Sequence, residues 1–241
     1  MSKHSEHELK RRAVPDAAKQ KGEVELNIPL AIHANRESGC ITISYPGAMG
    51  DIDGYNAKYR TLANFIQEKV GAVIRLGNHY FQGFDYSKSI QDDLRAVIGY
   101  AIENSKEICG AKVPVIYLMG FSAGASAIAA VAHEFPQVRK ILLISPSCDV
   151  GEEDVTKGLA EFTGEVYIVA GENDDVVGPE AAPMISAMVK KASIHKLVIV
   201  PKCDHQFRGL ENGMIMSKAP LWAFLGDQDY PSPNGGIELY K

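Results

Sequence analysis

A mostly parallel β-sheet covered by helices on both faces is the fold class this sequence predicts, and three observations predict it. Short apolar runs rich in β-branched residues recur along the chain. The stretches between the later runs are long enough for a crossover helix, and several of them carry apolar residues at helical spacing. With 241 residues, 46% of them apolar and 23% charged, the chain can bury one sizeable core.

The elements follow in order. Residues 1–21 are polar and charged, with Lys10-Arg11-Arg12 and Pro15, and bury too little apolar surface to offset the entropy of ordering; they read as a mobile arm or a loosely docked helix. From Glu23 onward there are eight strand candidates: Val24–Ile28, Leu30–Ala34, Ile41–Tyr45, Ala72–Leu76, Val113–Met119, Lys140–Ser145, Glu165–Ala170 and Lys196–Val200. The first two stand close together, as in a hairpin. Tyr55, Tyr59, Leu62 and Ile66 form a helical stripe, and Ile90, Leu94, Val97, Ala101 and Ile102 form another. Further helices are expected over Ser122–Phe135, Pro179–Ala192 and about Leu210–Leu225, the last carrying the single tryptophan, Trp222. No repeat or low-complexity linker interrupts this order, so residues 22–226 read as one domain. Residues 227–241, with Pro231, Pro233 and Gly235-Gly236, read as an irregular surface tail.

Charge and composition narrow the function. A formal charge of -5 with no cluster of basic residues argues against nucleic acid as a partner. The N-terminal residues lack the apolar stretch of a signal peptide, and no apolar run approaches the roughly 20 residues that span a bilayer. The expectation is a soluble, cytoplasmic protein without a membrane span. Cys40, Cys109, Cys148 and Cys203 are far apart and read as free thiols, without metal-ligand spacing. Asp51-x-Asp53-Gly54 lacks the later oxygen ligands of a calcium loop and reads as a turn. Composition leaves the oligomeric state open.

The sharpest local signal is Gly120-Phe121-Ser122-Ala123-Gly124, directly after a β-rich run and directly before an alanine-rich helix. A pattern of this kind arises by chance about 0.1 times in a chain of this length, but chance does not set it between a strand and a helix. A serine at such a turn has its hydroxyl lifted clear of the sheet, provided small residues two before and two after let the turn close. To attack at neutral pH, Ser122 needs a base and a group to orient the base. Downstream, Gly171-Glu172-Asn173-Asp174-Asp175 follows one strand and Pro201-Lys202-Cys203-Asp204-His205 follows the next.

In these residues the chain resembles the α/β-hydrolase-fold serine hydrolases, over roughly residues 23–226. The resemblance implies an eight-stranded, mostly parallel sheet, a Ser122-His205-Asp174 triad and no metal or organic cofactor. The family spacing favours Asp174 over Asp175 as the acid. It implies backbone oxyanion donors at Ala123 and on the loop Tyr45-Pro46-Gly47-Ala48-Met49-Gly50, with Ala48 favoured over Met49. Pro46 stands where many relatives have histidine, which affects the register of that loop and not the role of its N–H. Only about 20 residues separate Ser145 from Glu165, too few for the helical cap of related lipases, so the enzyme is expected to be lidless. Met49, Phe81, Phe84, Met184 and Phe207 are the expected apolar walls for substrate. His79 is a further candidate at the pocket's border. The acidic residues after the strands, Asp51, Asp53, Asp85, Asp149, Glu172, Asp174, Asp175 and Asp204, suggest an electronegative mouth.

The expected function is hydrolysis of a small-molecule carboxylic ester or thioester through an acyl-enzyme. A peptidase or amidase with the same triad is one alternative, and a catalytically idle binding member of the fold is another.

Overall fold

The structure is a computed structural model that describes residues 4–13, 23–78 and 85–240. Its eight strands are β1 (Ser5–Ala13), β2 (Val24–His33), β3 (Cys40–Tyr45), β4 (Ala72–Leu76), β5 (Val115–Phe121), β6 (Val138–Ile144), β7 (Glu165–Gly171) and β8 (Ile194–Val200). They form one sheet in the order β1-β2-β4-β3-β5-β6-β7-β8. All neighbours from β4 to β8 pair in parallel, whereas β1 with β2 and β2 with β4 are antiparallel. Among the described residues seven α-helices accompany the strands: α1 (Lys58–Lys69), α2 (Tyr86–Glu103), α3 (Ser105–Cys109), α4 (Ala123–Val131), α5 (Glu152–Glu161), α6 (Ala181–Met188) and α7 (Leu210–Pro220). Among the described residues no helix is long and apolar enough to cross a membrane.

The strands that are buried on both faces read as continuous apolar runs for that reason. One face packs Ile41, Ile43, Ile116, Leu118 and Ile141 against α2, α4 and α5; the other packs Val73, Leu142, Val169 and Tyr167 against α1, α7 and Trp222. Helix α4 is buried along its whole length, which its alanines permit because they let the helix lie close to the sheet.

The N-terminal edge differs from expectation. Val24–Ile28 and Leu30–Ala34 do not form a hairpin; they are one strand running through Pro29, and the hairpin partner is Ser5–Ala13, inside the expected arm. The signal was missed because an edge strand does not need an alternating apolar pattern. Leu9 packs against the core, and Arg11 donates to the fully buried Asp93 of α2 at 2.7 Å. The tail is irregular as read, yet it does not merely lie on the surface. Tyr230 stacks on Trp222 at 4.7 Å, and Leu239 is 3% exposed.

The strand order reverses between β4-β3 and β5-β6-β7-β8, so the crevice at the carboxyl ends of β3 and β5 is the topological switch point. Tyr45 pairs with Gly120 there, and Phe121 pairs with Ile144. No cap covers this edge among the described residues. The ten-residue α5 lies against α4 instead, where a side chain at Gly158 would meet the carbonyl of Ala129 at 2.1 Å.

Candidate active site

Ser122 stands between β5 and α4 with φ 52° and ψ −120°, a left-handed conformation that costs a residue with a Cβ about 1–3 kcal/mol. Both flanking glycines are required by space. A Cβ at Gly120 would lie 2.6 Å from the backbone of Ala125, and one at Gly124 would lie 2.3 Å from the carbonyl oxygen of Pro46. The first glycine lets the turn close, and the second lets α4 start against the end of β3. The turn is held in place by the Ser122 N–H, which donates to the carbonyl of Ile144 at 2.9 Å.

Asp174 and His205 are brought together from the ends of β7 and β8. His205 Nδ1 lies 2.8 Å from Asp174 Oδ2, and both residues are 3% exposed. The other carboxylate oxygen, Oδ1, accepts from the N–H groups of Val176 and Val177 at 3.1 and 3.0 Å, which fixes the plane of the group. In a neutral imidazole whose Nδ1 donates to a carboxylate, Nε2 is left as the acceptor. Asp175 is exposed and takes no part in this pair. The two loops are zipped along the backbone: Glu172 N–H donates to Val200, and Asn173 N–H to Cys203, at 2.9 and 2.8 Å. Gly171 permits this approach, since a Cβ there would meet the Cys203 carbonyl at 2.2 Å.

His205 reaches the serine's surroundings through two contacts. Its ring lies tilted against Phe121, the residue before Ser122, with centroids 5.1 Å apart. Its carbonyl accepts from the hydroxyl of fully buried Ser145 at 3.0 Å, and Ser145 follows the end of β6 beside the elbow. Sequence reading missed Ser145; its only local mark is a left-handed φ of 43°, which no pattern of residue types announces.

On the other flank the loop 46–50 runs against the elbow, with Gly47 so close that a Cβ would lie 3.2 Å from that of Ser122. Gly47 and Gly50 close a turn at 3.0 Å with Met49 at φ 59°, and Ala48 and Met49 face solvent. Asn78, also missed from the sequence, donates through Nδ2 to the Gly47 carbonyl at 2.6 Å, while its N–H donates to Gly50. Ala123 opens α4, so its N–H belongs to the first turn, which has no intrahelical acceptors.

The expected substrate walls are scattered. Phe207 is a correction: at 0% exposed, it lies in the core beneath the sheet with Trp222 and Met216, because a φ of 55° turns the chain inward after His205. Met49 and Met184 are exposed, at 81% and 53%, the latter on α6. Phe81, Phe84 and His79 lie outside the described residues. The acidic mouth is largely committed to structure. Asp51 caps the N–H groups of Asp53 and Gly54, and Asp53 pairs with Arg75 and Arg60 at 2.6 and 2.7 Å. Asp85 caps α2, Glu172 accepts from Lys202 N–H, and Asp204 pairs with Arg208 at 2.8 Å.

No protein-family model matches the sequence, and no curated protein sequence matches it. Solved structures do. Est1E from Butyrivibrio proteoclasticus is 16% identical with a TM-score of 0.64, over 86% of this chain and 95% of that one. An alpha-beta serine hydrolase homologue from Coxiella burnetii is 22% identical with a TM-score of 0.61, over 80% and 89%. Dienelactone hydrolase from Anabaena variabilis is 14% identical with a TM-score of 0.64, over 91% and 98%. The chain has the α/β-hydrolase fold. The β1–β2 hairpin is part of the same continuous sheet.

Proposed function

We propose that the protein is a serine hydrolase that cleaves a small-molecule carboxylic ester or thioester through an acyl-enzyme. The observation that carries this reading is the buried Asp174–His205 pair, at 2.8 Å, on the same sheet edge as a serine held in a strained strand-to-helix turn. Strain of this kind persists only where the surrounding structure over-determines it.

In this reading His205 Nε2 takes the proton from the Ser122 hydroxyl as its oxygen attacks the carbonyl carbon, and Asp174 steadies the imidazolium that forms. The tetrahedral oxyanion accepts from the N–H groups of Ala123 and Ala48, each worth a few kcal/mol in such sites. His205 returns the proton to the leaving alcohol or thiol as the carbon–oxygen or carbon–sulfur bond breaks. Water then repeats the sequence on the acyl-enzyme, releasing the acid and free Ser122. Every proton is carried by side chains of this chain, and no cofactor is called on. One of the structural neighbours, the dienelactone hydrolase, carries the name of an enzyme that opens a lactone, a cyclic ester, which favours an ester over an amide.

The test is a fluorophosphonate probe with mass-spectrometric location of the label, alongside a series of nitrophenyl esters of increasing acyl length. Labelling of Ser122 with ester turnover is the expected result, and Ser122→Ala should lose both while keeping its melting temperature. Labelling with turnover of amides alone would favour the peptidase reading. A folded protein that takes no label and turns over no ester would favour a binding role.

A further inference from the structure

The loop carrying His205 has a support that the proposed reaction does not use. Lys58, the first residue of α1, is only 8% exposed. Its ammonium lies 5.1, 5.2 and 5.4 Å from the ring centres of Tyr59, Phe121 and Tyr240, and it donates to the Tyr240 hydroxyl at 3.3 Å. The Tyr240 hydroxyl donates in turn to the carbonyl of Gln206, the residue after His205. Lys58 therefore reaches the His205 loop through Tyr240, whose hydroxyl holds the backbone beside the histidine, and the Phe121 ring that the ammonium also faces lies tilted against the imidazole.

A buried ammonium is an expensive way to fill space, and an apolar side chain of the same length would pack at lower cost. Burial pushes the Lys58 ammonium down to about 8, against the pull of Asp204, so at neutral pH it is still a charged donor. Tyr240 is held from below: Leu239 is buried in the core, and a Cβ at Gly213 of α7 would meet the Tyr240 ring at 2.9 Å. The tail is thus anchored on both sides of the bond it makes to the His205 loop. Ser145, on the carbonyl of His205, and Tyr240, on that of Gln206, hold consecutive peptide units from different elements.

We infer that Lys58 and Tyr240 are positioning residues for His205, a strut by which the C-terminal tail sets the reach of the imidazole toward Ser122. This rests on the reading of His205 as the general base. Displacing a catalytic group by about 1 Å can cost up to about a hundredfold in rate, whereas substrate binding is left alone.

The experiment uses the full chain with Tyr240→Phe, Lys58→Met and the double variant. Phenylalanine keeps the ring of the cage and its seat on Gly213; methionine keeps the stem. For a nitrophenyl ester, Tyr240→Phe should lower kcat by about tenfold with KM within about twofold, and slow fluorophosphonate labelling of Ser122 by the same factor. Because the hydrogen bonds from Lys58 to Tyr240 and from Tyr240 to Gln206 act in series, the double variant should be no worse than the worse single one. The inference is overturned if Tyr240→Phe keeps kcat and the labelling rate within about twofold, if its loss tracks the melting transition and vanishes on cooling, or if the two substitutions multiply. Should wild-type protein take no probe and cleave no ester, the hydrolase reading falls separately. The 15N resonances of the His205 imidazole then decide: displaced in Tyr240→Phe, they support the strut, and unmoved, they overturn it.

Discussion

The two flanks of Ser122 are built in different ways. On one side, the loops that bear Asp174 and His205 hold each other by backbone hydrogen bonds, with Gly171 allowing the close approach, and an Asx turn orders the Asp174 loop from within. On the other, the loop 46–54 depends on side chains that arrive from neighbouring elements. Asn78 holds Gly47, and Arg75 of β4 reaches Asp53 and the carbonyl of Ile52. The difference separates two demands. In the proposed reaction the acid and base must keep one mutual geometry, which backbone pairing between their loops supplies while Ser145 and Tyr240 brace the pair from outside; the proposed oxyanion donors must meet a substrate, and a loop hung on a few side chains can be adjusted residue by residue.

The largest expected effect breaks the zipped flank. Asp174→Asn removes the acceptor that fixes the imidazole tautomer and should cost about 10⁴ in kcat. Asp175→Asn, at an exposed position, should stay within about twofold; the reverse ranking in ester kinetics would move the acid by one residue. On the hung flank, Asn78→Ala should lower kcat by about tenfold, less than the 10²–10³ for deleting an oxyanion donor outright, because Ala48 keeps its N–H and loses only a brace. An unchanged kcat would show that the Gly47–Gly50 turn stands alone.

Stability should show the same asymmetry. Gly171→Ala forces a Cβ toward the Cys203 carbonyl and should cost about 1–3 kcal/mol, a fall of several degrees in melting temperature for a chain of this size, with ester turnover reduced at all temperatures. The smallest effect is a pH dependence on the hung flank. Fully buried His33 accepts a hydrogen bond from Arg75 Nε at 3.0 Å, and burial, then Arg75, lower its pKa from 6.5 to about 4. Between those values the unfolded chain binds more protons than the folded one. The stability tied to neutral His33 is therefore complete above about 6.5 and is lost as pH falls toward 4. His33→Gln should flatten the fall in urea midpoint between pH 7 and pH 5; an unchanged slope would assign the acid sensitivity elsewhere.

How much of this was legible follows from the range of each cause. Gly120, Ser122 and Gly124 could be read directly, because the space a Cβ would occupy is decided by residues next in sequence and by the strand alongside, and glycine is the only residue that answers both. Strand periodicity placed β3 to β8 within a few residues: in β3 to β7 burial on two faces leaves a nearly continuous apolar run, and the edge strand β8 keeps apolar residues although it is largely exposed. Chain order alone put a carboxylate and a histidine on loops after successive strands. The choice between neighbouring carboxylates at 174 and 175 drew on family spacing, and the structure brings Asp174 to the imidazole because the turn from Gly171 points its side chain inward and Asp175 outward.

What only the tertiary structure decided involves partners remote in the chain and ordinary in composition. Ser5–Ala13 is a strand because β2 offers it an unpaired edge and Asp93 offers Arg11 a buried partner, and neither offer is written in those nine residues. Phe207 is a core residue because the backbone turns inward after His205. Ser145, Asn78, Lys58 and Tyr240 bear on the site through hydrogen bonds to main-chain carbonyls or to one another. A carbonyl is the same at every position, so residue type cannot say which one a distant side chain will find. Local sterics and periodicity are properties of a segment and can be read from it; a bond between remote groups exists only once the sheet has brought their strands together.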